Sequence, residues 1–372
     1  MVANSADGSH HMLVGALGRG GKGLYGLDVT NPTSFGIGNV KWEFNAPAIC
    51  AATTPDDIKD LGLIFGIPIT AKLSGVSNKV AIVGNGYNSC SGNAALYFID
   101  AATGTVKQKV VVNGGPDNGL STPFAYDANN DGIPDAIYAG DLNGNLWRFE
   151  ANSAGTWSAR FGGSAVPMVV ARNPDNQIQP ITAAPFAVKN ETDGKLWVFF
   201  GTGQYLQSAD KENQQVQSLY ALIDDGSATI THTNLKQRHF ITAGAGTLSD
   251  DTSVTLRFAD QATAGDMNSF RGWYIDLDLS TDVGERIVSP IRILRGGSAF
   301  ILEAATFIPT NDPCDKGGRG NKISVNPFTG GELAFPYEDI NGDGKIDSGD
   351  LVDGRVPGSI GLASRLNCRR RR

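Results

Sequence analysis

The sequence predicts an all-β fold, and three observations predict it. Glycine supplies 47 of the 372 residues while charged residues fall to 19%, against an average glycine usage of ~7%. Gly-rich turns between short apolar strands account for that balance better than helices do. A short unit recurs along the chain: an apolar strand ending in glycine, a turn, then an aromatic-bearing strand ending in an acidic residue. Finally, the Asp/Asn/Gly loop at 127–135 runs into strand-like sequence rather than a helix.

Taken in order, Leu13-Val14-Gly15 with Leu24-Tyr25-Gly26-Leu27-Asp28 opens the series. Val80-Ala81-Ile82-Val83-Gly84-Asn85-Gly86 leads to Leu96-Tyr97-Phe98-Ile99-Asp100. Ala136-Ile137-Tyr138-Ala139-Gly140 turns through Asp141-Leu142-Asn143-Gly144 into Asn145-Leu146-Trp147-Arg148-Phe149. Trp197-Val198-Phe199-Phe200-Gly201-Thr202-Gly203 leads to Leu219-Tyr220-Ala221-Leu222-Ile223-Asp224, and Gly272-Trp273-Tyr274-Ile275-Asp276-Leu277 adds a later acidic-ended strand. Each unit is too small to bury its own faces, so radial stacking of sheets is the economical architecture. The units recur every about 50 to 70 residues, longer than a propeller blade of ~40 to 50. Polar insertions at Ala46 to Asp60, Gln204 to Gln217, Ser227 to Leu235 and Asp312 to Asn321 absorb the excess. Only Thr54 to Leu61 and Asp210 to Gln217 look briefly helical. The expectation is a single modified β-propeller of seven blades over residues 1–372, with calcium-binding loops.

The loop Asp127-Ala128-Asn129-Asn130-Asp131-Gly132-Ile133-Pro134-Asp135 spaces oxygen donors at positions one, three, five and nine, with the Ile133 carbonyl at seven and Gly132 at the turn. Calcium takes six to eight hard oxygen ligands, which alternate side chains and one carbonyl largely supply. Position twelve is Tyr138, so another segment or water must complete the shell. A second, EF-hand-like loop runs from Asp339 to Asp350. Its donors are Asp339, Asn341, Asp343, the Lys345 carbonyl, Asp347 and Asp350, with Gly344 at the turn. The same residue types favour tight turns without any ion. Several carboxylates converging on one loop repel without a cation, which favours metal at both sites. Magnesium dehydrates reluctantly and is rarely caged wholly by protein, which leaves calcium as the expected ion.

A net charge of -7 argues against nucleic acid or an anionic membrane as main partner, and the Arg369 to Arg372 run reads as a solvated tail. No stretch approaches the length of a membrane-spanning helix, and the N-terminus lacks a basic and apolar signal. The four cysteines, Cys50, Cys90, Cys314 and Cys368, form no CxxC pair. Their even number suits disulfides, with Cys50 and Cys90 the favoured pair among three pairings. Oxidation implies an exported parent protein.

Catalytic candidates are sparse. His10 and His11 are adjacent, His232 and His239 lack metal-ligand spacing, and Thr202 and Ser208 sit in no nucleophile elbow. Trp147, Tyr220 and Trp273 recur at strand positions and read as core.

The runs Ile133 to Phe149, Ala81 to Ser89 and Gly20 to Thr30 resemble the C-terminal β-propeller of the PilY/PilC type IV pilus biogenesis proteins, over most of the chain. The resemblance implies a pilus-tip adhesin whose loop matched by Asp127, Asn129, Asp131, Ile133 and Asp135 binds calcium. It ties occupancy to the balance of pilus extension and retraction. It also implies pilus components, minor pilins or the tip, as partners, with a host-cell receptor as a further candidate. The family's large N-terminal region is missing, so the chain is expected to be a fragment of an exported, surface or pilus-tip protein. There is no Arg-Gly-Asp tripeptide, so integrin attachment through that motif is not implied.

Two alternatives stand beside this reading. Ile99-Asp100-Ala101-Ala102-Thr103-Gly104 resembles the blade motif of quinone-dependent dehydrogenases, but no adjacent cysteine pair or acid, base and metal cluster accompanies it. A host-binding module in which calcium is purely structural is the other.

Overall fold

The computed structural model describes residues 2–4, 8–51, 53–113, 115–247, 253–296, 299–310 and 318–362. Cys314, Cys368, the Arg369 to Arg372 run and most of the insertion at 312–321 lie outside them. The described residues form strands, turns and short 3-10 segments, and no helix is long and apolar enough to cross a membrane. Of the two stretches read as briefly helical, 54–61 is a run of turns. The other overlaps a single 3-10 turn at Ser208–Lys211.

The chain divides into two compact units, Met1–Ala171 with Pro180–Pro185 and Gly226–Thr229, and Arg172–Gln179 with Phe186–Asp225 and Ile230–Arg372. The first holds three sheets. Strands β1 (Val2–Asn4), β2 (His11–Ala16), β3 (Gly23–Asp28) and β4 (Val40–Asn45) pair in sequence order. So do β5 (Ile69–Ala71), β6 (Val80–Gly84), β7 (Ala94–Asp100) and β8 (Val106–Val112). The third sheet has β9 (Phe124–Tyr126), β10 (Ala136–Gly140), β11 (Asn145–Ala151) and β12 (Trp157–Ala159), with β13 (Val169–Val170) also on β11.

The second unit holds β14 (Phe186–Lys189), β15 (Leu196–Gly201), β16 (Ser218–Asp224), β17 (Lys236–Arg238), β18 (Phe240–Thr247), β19 (Ser253–Ala259), β20 (Gly272–Asp276), β21 (Arg292–Gly296), β22 (Ala299–Ala305), β23 (Gly320–Val325) and β24 (Ser359–Leu362). They form two sheets, in the orders β14-β15-β16-β20-β17 and β18-β19-β24-β23-β22-β21. Pairing among the described strands is antiparallel except for β17 with β20. The five described sheets compare with seven expected blades. Every strand pair read from the sequence repeat forms: β2 with β3, β6 with β7, β10 with β11, and β15 with β16.

Inner strands such as β6, β7 and β10 are buried at every position, which explains why they read as unbroken apolar runs. Alternate side chains serve different cores. Val80, Ile82, Leu96 and Phe98 join Ile137, Trp147 and Phe149. Ala81, Val83, Tyr97 and Ile99 join Val14, Leu24 and Trp42. A sheet packed on both faces is what a repeat unit without its own core requires.

Two tryptophans are seated in the same way. Trp42 donates its indole N–H to the Ala101 carbonyl at 2.9 Å, and its ring lies over Gly104. Trp273 donates to the Pro327 carbonyl at 2.8 Å, with its ring over Gly330. Both turns close alike: Gly104 donates to the Asp100 carbonyl at 2.8 Å, and Gly330 to the Asn326 carbonyl at 2.9 Å. The 99–104 motif is thus a packing turn in this chain.

The polar insertion at 204–217 is organised by Arg286, which is 2% exposed. Its guanidinium donates to the carbonyls of Gly284, Gln204, Asp210 and Asn213. The insertion at 46–60 is fixed by the Cys50–Cys90 disulfide, the pairing favoured from sequence.

Candidate metal centres

The first loop lies between β9 and β10, its base closed by Asp135 N–H donating to the Tyr126 carbonyl at 2.8 Å. Inside it the short side chains turn back on the backbone. Asp127 Oδ2 accepts from Gly132 N at 2.8 Å, Asn129 Oδ1 from Asp131 N at 3.0 Å, and Asp131 Oδ1 from Ile133 N at 2.7 Å. Asp135 Oδ2 accepts from Ala128 N at 2.7 Å. Asn130 and Gly132 take positive φ, 59° and 86°, which Asn and Gly adopt most readily.

The second loop, between β23 and β24, repeats this pattern. Asp339 Oδ2 accepts from Gly344 N at 2.8 Å, Asn341 Oδ1 from Asp343 N at 2.9 Å, and Asp343 Oδ1 from Lys345 N at 2.8 Å. Asp347 caps the 3-10 turn Ser348–Asp350 through Gly349 N at 2.7 Å. Asp350, 1% exposed, accepts from Ile340, Asn341 and Asp347 N–H groups at 2.9, 3.3 and 2.9 Å. Ile340 is buried with Val254, Leu256 and Ile360, which anchors the loop to the sheet.

The donor chemistry suits a hard cation. Both loops offer carboxylate and amide oxygens without nitrogen or sulfur ligands. In the first, Asp127 Oδ1 is buried without a hydrogen-bond partner. A carboxylate oxygen in that state is costly unless a cation meets it. Among the described residues no three His, Cys, Asp or Glu side chains are gathered so that they could hold a metal ion by themselves. An ion at either loop would therefore also need oxygen from Asn129 or Asn341 and from backbone carbonyls. Tyr138, at position twelve of the first loop, is fully buried on β10 and belongs to the strand.

The other candidates do not converge. His10 Nδ1 lies 2.9 Å from Asp28 Oδ2, His239 Nδ1 3.1 Å from Asp260 Oδ2, and His232 Nε2 2.9 Å from the Tyr220 hydroxyl. Thr202, fully buried, accepts from Ser218 N at 2.7 Å through its hydroxyl. Trp147, Tyr220 and Trp273 are core residues.

Sequence reasoning missed the burial of several carboxylates, Asp141 and Asp276 among them. Asp141, read as a turn residue, is fully buried and accepts from Asn118 Nδ2, Asn145 Nδ2 and Trp147 Nε1. Asp276 ends a chain of hydrogen bonds in which Gln179 Nε2 donates to Ser218 Oγ at 2.7 Å and Ser218 Oγ to Asp276 Oδ1 at 2.6 Å. Burial pushes both carboxyls above their ordinary range. Asp276 carries the repeat's signal of an acidic residue ending a strand, whereas Asp141 opens the turn after β10; the burial of neither is visible until the strands pair.

The family model for the PilY1 β-propeller domain matches residues 1–252. The chain is 35% identical to a type IV pilus biogenesis factor PilY1 homolog of Xylella fastidiosa, over 97% of this chain and 27% of that protein. It is 34% identical to the type IV pilus biogenesis factor PilY1 of Pseudomonas aeruginosa strain PAO1, over 91% of this chain and 31% of that protein. It thus spans about a third of those relatives or less. The crystal structure of the P. aeruginosa PilY1 C-terminal domain superimposes with a TM-score of 0.80 at 29% identity, covering 97% of this chain and 77% of that one. On fold, sequence and extent of match, the chain belongs to the PilY1 β-propeller family of type IV pilus biogenesis factors.

Proposed function

We propose that this chain is a calcium-binding β-propeller region of an exported type IV pilus assembly and adhesion protein, non-enzymatic, in which calcium sets the balance of pilus extension and retraction. The observation that carries the calcium reading is the shared hydrogen-bond pattern of the two loops together with the unpartnered Asp127 Oδ1. Asp127, Asn129, Asp131, Asp135 and the Ile133 carbonyl would hold one ion. Asp339, Asn341, Asp343, Asp347, Asp350 and the Lys345 carbonyl would hold the other. The bound ion would screen the carboxylates from one another and fix each loop in one conformation. The names of the relatives, all pilus biogenesis factors, support pilus components as partners and a place at the pilus or cell surface. A host receptor remains part of the adhesion reading.

Calorimetric titration of calcium into the wild type, Asp131→Ala and Asp343→Ala tests the sites. The expected result is two sites in the wild type and one in each variant, and heat of binding absent from the wild type would sink the calcium reading. Pilus function then separates regulation from architecture. A folded Asp127→Ala protein that fails to support normal extension and retraction supports regulation, and one that simply unfolds points to structural calcium.

A further inference from the structure

We propose that His232 is an acid sensor at the edge of its sheet: its protonation loosens the turn leading into β17, and a one-way chain of hydrogen bonds to the buried Asp276 tunes the response. His232 opens the 3-10 turn His232–Asn234 just before β17, the edge strand of its sheet. From there it reaches back across β20. Its partly buried ring stacks on Tyr274 with centroids 4.8 Å apart, and Nε2 lies 2.9 Å from the Tyr220 hydroxyl of β16. The turn closes through Leu235 N–H donating to the His232 carbonyl at 3.0 Å, and Arg271 N–H holds the Asn234 carbonyl at 2.8 Å. Farther on, Arg238 is anchored by Asp266 and the Thr329 carbonyl, so the turn opens while the strand end stays in place.

The donor order along the chain is fixed from its far end, because a carboxylate and a backbone carbonyl only accept. Ser218 Oγ donates to the ionised Asp276 at 2.6 Å. The Gln179 amide must face the Val216 carbonyl with its nitrogen, at 2.9 Å, and the same nitrogen donates to Ser218 Oγ at 2.7 Å. Gln179 Oε1, 2.8 Å from the Tyr220 hydroxyl, therefore takes the hydroxyl proton, the Arg172 carbonyl being the longer contact at 3.1 Å. His232 Nε2 must then donate to the Tyr220 oxygen. The neutral ring thus carries its proton on Nε2, and Nδ1 takes the second one. Every bond runs from His232 toward Asp276, so a positive charge at the first end and a negative charge at the last reinforce each other. No proton passes along the chain.

The groups around the two ends set the sign. His232 faces Tyr220 on β16, Tyr274 on β20 and the charge of Arg172; burial first, and Arg172 second, hold its proton affinity below the ordinary value. Burial keeps both tyrosines neutral. Asp276 is raised chiefly by burial and also by Asp278, against hydrogen bonds from Ser218 and Gln237 and the charge of His239. A free histidine titrates near ~6.5, so the closed turn is held in full above that pH and loses its hold as pH falls toward the lowered value. An ionised Asp276 favours the charged His232 and softens this loss. Its own raised affinity also acts with the opposite sign on any opening that wets it, so Asp276→Asn removes both restraints. The sensor rests on neither the calcium nor the pilus reading.

The experiment follows the His232 ring by NMR and the amide-exchange protection of Leu235, from about pH 7 to about pH 5, in the wild type, His232→Gln, Asp276→Asn and Gln179→Met. Glutamine at 232 keeps an N–H donor without a titrating group. In the wild type His232 is expected to titrate below ~6.5. Leu235 protection is expected to fall about threefold or more over the range, at no more than about tenfold per pH unit. The fall disappears in His232→Gln and steepens in Asp276→Asn. Proton affinity at His232 drops further, by about fivefold or more, in both Asp276→Asn and Gln179→Met. If either of those two does not fold, the wild-type titration decides, since a coupled pair gives His232 a second inflection at the Asp276 midpoint; a single inflection then overturns the chain. A His232 midpoint unmoved in Asp276→Asn, or moved there but not in Gln179→Met, overturns it as well. Flat Leu235 protection in the wild type, or a fall that persists in His232→Gln, overturns the sensor.

Discussion

Asp135 and Asp350 close their two loops with the same hydrogen bond. Each carboxylate accepts from the N–H of its loop's second residue, Ala128 at 2.7 Å and Ile340 at 2.9 Å. From sequence the first loop is short of a closing carboxylate at position twelve. In space Asp135, at position nine, does that work as well as standing in the donor set. The first loop is therefore complete as a turn but poorer by one carboxylate, three against four.

Ligand charge count tunes calcium affinity, so the loop at 127–135 is expected to bind more weakly and exchange faster than the loop at 339–350. Titration of Asp343→Ala, which reports the first loop, and of Asp131→Ala, which reports the second, measures the order directly. Tighter binding at the first loop would refute it.

Stability should follow the same asymmetry. Asp350 is 1% exposed and serves three backbone N–H groups, whereas Asp135 is on an exposed turn. Hydrogen bonds to charged groups contribute roughly 1.5–3 kcal/mol each, and stranded buried donors add cost. Without added metal, Asp350→Ala is expected to destabilise by about 3 kcal/mol or more and Asp135→Ala by about 1 to 2. Equal urea midpoints for the two variants would count against the comparison.

Much of this was legible in the sequence because it is local. The hairpin of β10 and β11 follows from Ala136 to Gly140, a four-residue turn and a returning aromatic run, and its register needs nothing distant. The turns at 127–135 and 339–350 are legible for the same reason, since the side chains and N–H groups that shape them lie within one short stretch of chain. Burial of Asp141 and Asp276 is not, because it depends on partners brought from other segments, Asn118 for Asp141 and Ser218 and Gln237 for Asp276. Nor is the organisation of the 204–217 insertion, of which 210–217 read as briefly helical and whose carbonyls at Gln204, Asp210 and Asn213 are gathered by the distant Arg286.

The tryptophan seats predict a steric penalty. A Cβ at Gly104 would lie 2.7 Å from the Trp42 ring, and one at Gly330 2.6 Å from the Trp273 ring, with both glycines at positive φ. Gly104→Ala and Gly330→Ala are expected to destabilise by about 2 kcal/mol or more through overpacking and backbone strain. Trp42→Phe should cost about 1 to 3 kcal/mol, chiefly for the unsatisfied Ala101 carbonyl. Thermal unfolding of each variant is the check, and an unshifted midpoint for either glycine variant would contradict the packing.

Arg286 predicts a local failure. Four carbonyls depend on one buried guanidinium, and lysine, with a single ammonium on a flexible stem, does not reproduce its planar fork. Arg286→Lys is expected to open the 204–217 segment to proteolysis at least tenfold faster than in the wild type, an opening free energy lowered by about 1.4 kcal/mol or more. Unchanged cleavage there would mean the segment is held by other contacts.

Asp276 gives the chain a pH signature whose sign is fixed by burial. Desolvation raises its folded pKa, although Ser218 and Gln237 hydrogen bonds oppose the shift. An unfolded aspartate titrates near ~3.9, so between that value and the raised folded pKa the native state holds a proton that the unfolded chain has released. The stabilisation is full below ~3.9 and drains as pH rises through the folded pKa, at no more than ~1.4 kcal/mol per pH unit for one proton. Asp276→Asn keeps an acceptor for the Ser218 hydroxyl and removes the titration. Carboxylates held down in the native state, Asp28 at about 2 among them, act with the opposite sign but are common to both proteins. Urea unfolding of wild type and Asp276→Asn from pH 4 to 8 should therefore show the variant gaining on the wild type as pH rises through that window, then running parallel above it. A difference that stays flat across the range would place the Asp276 carboxyl at its ordinary pKa and remove burial as its controlling influence.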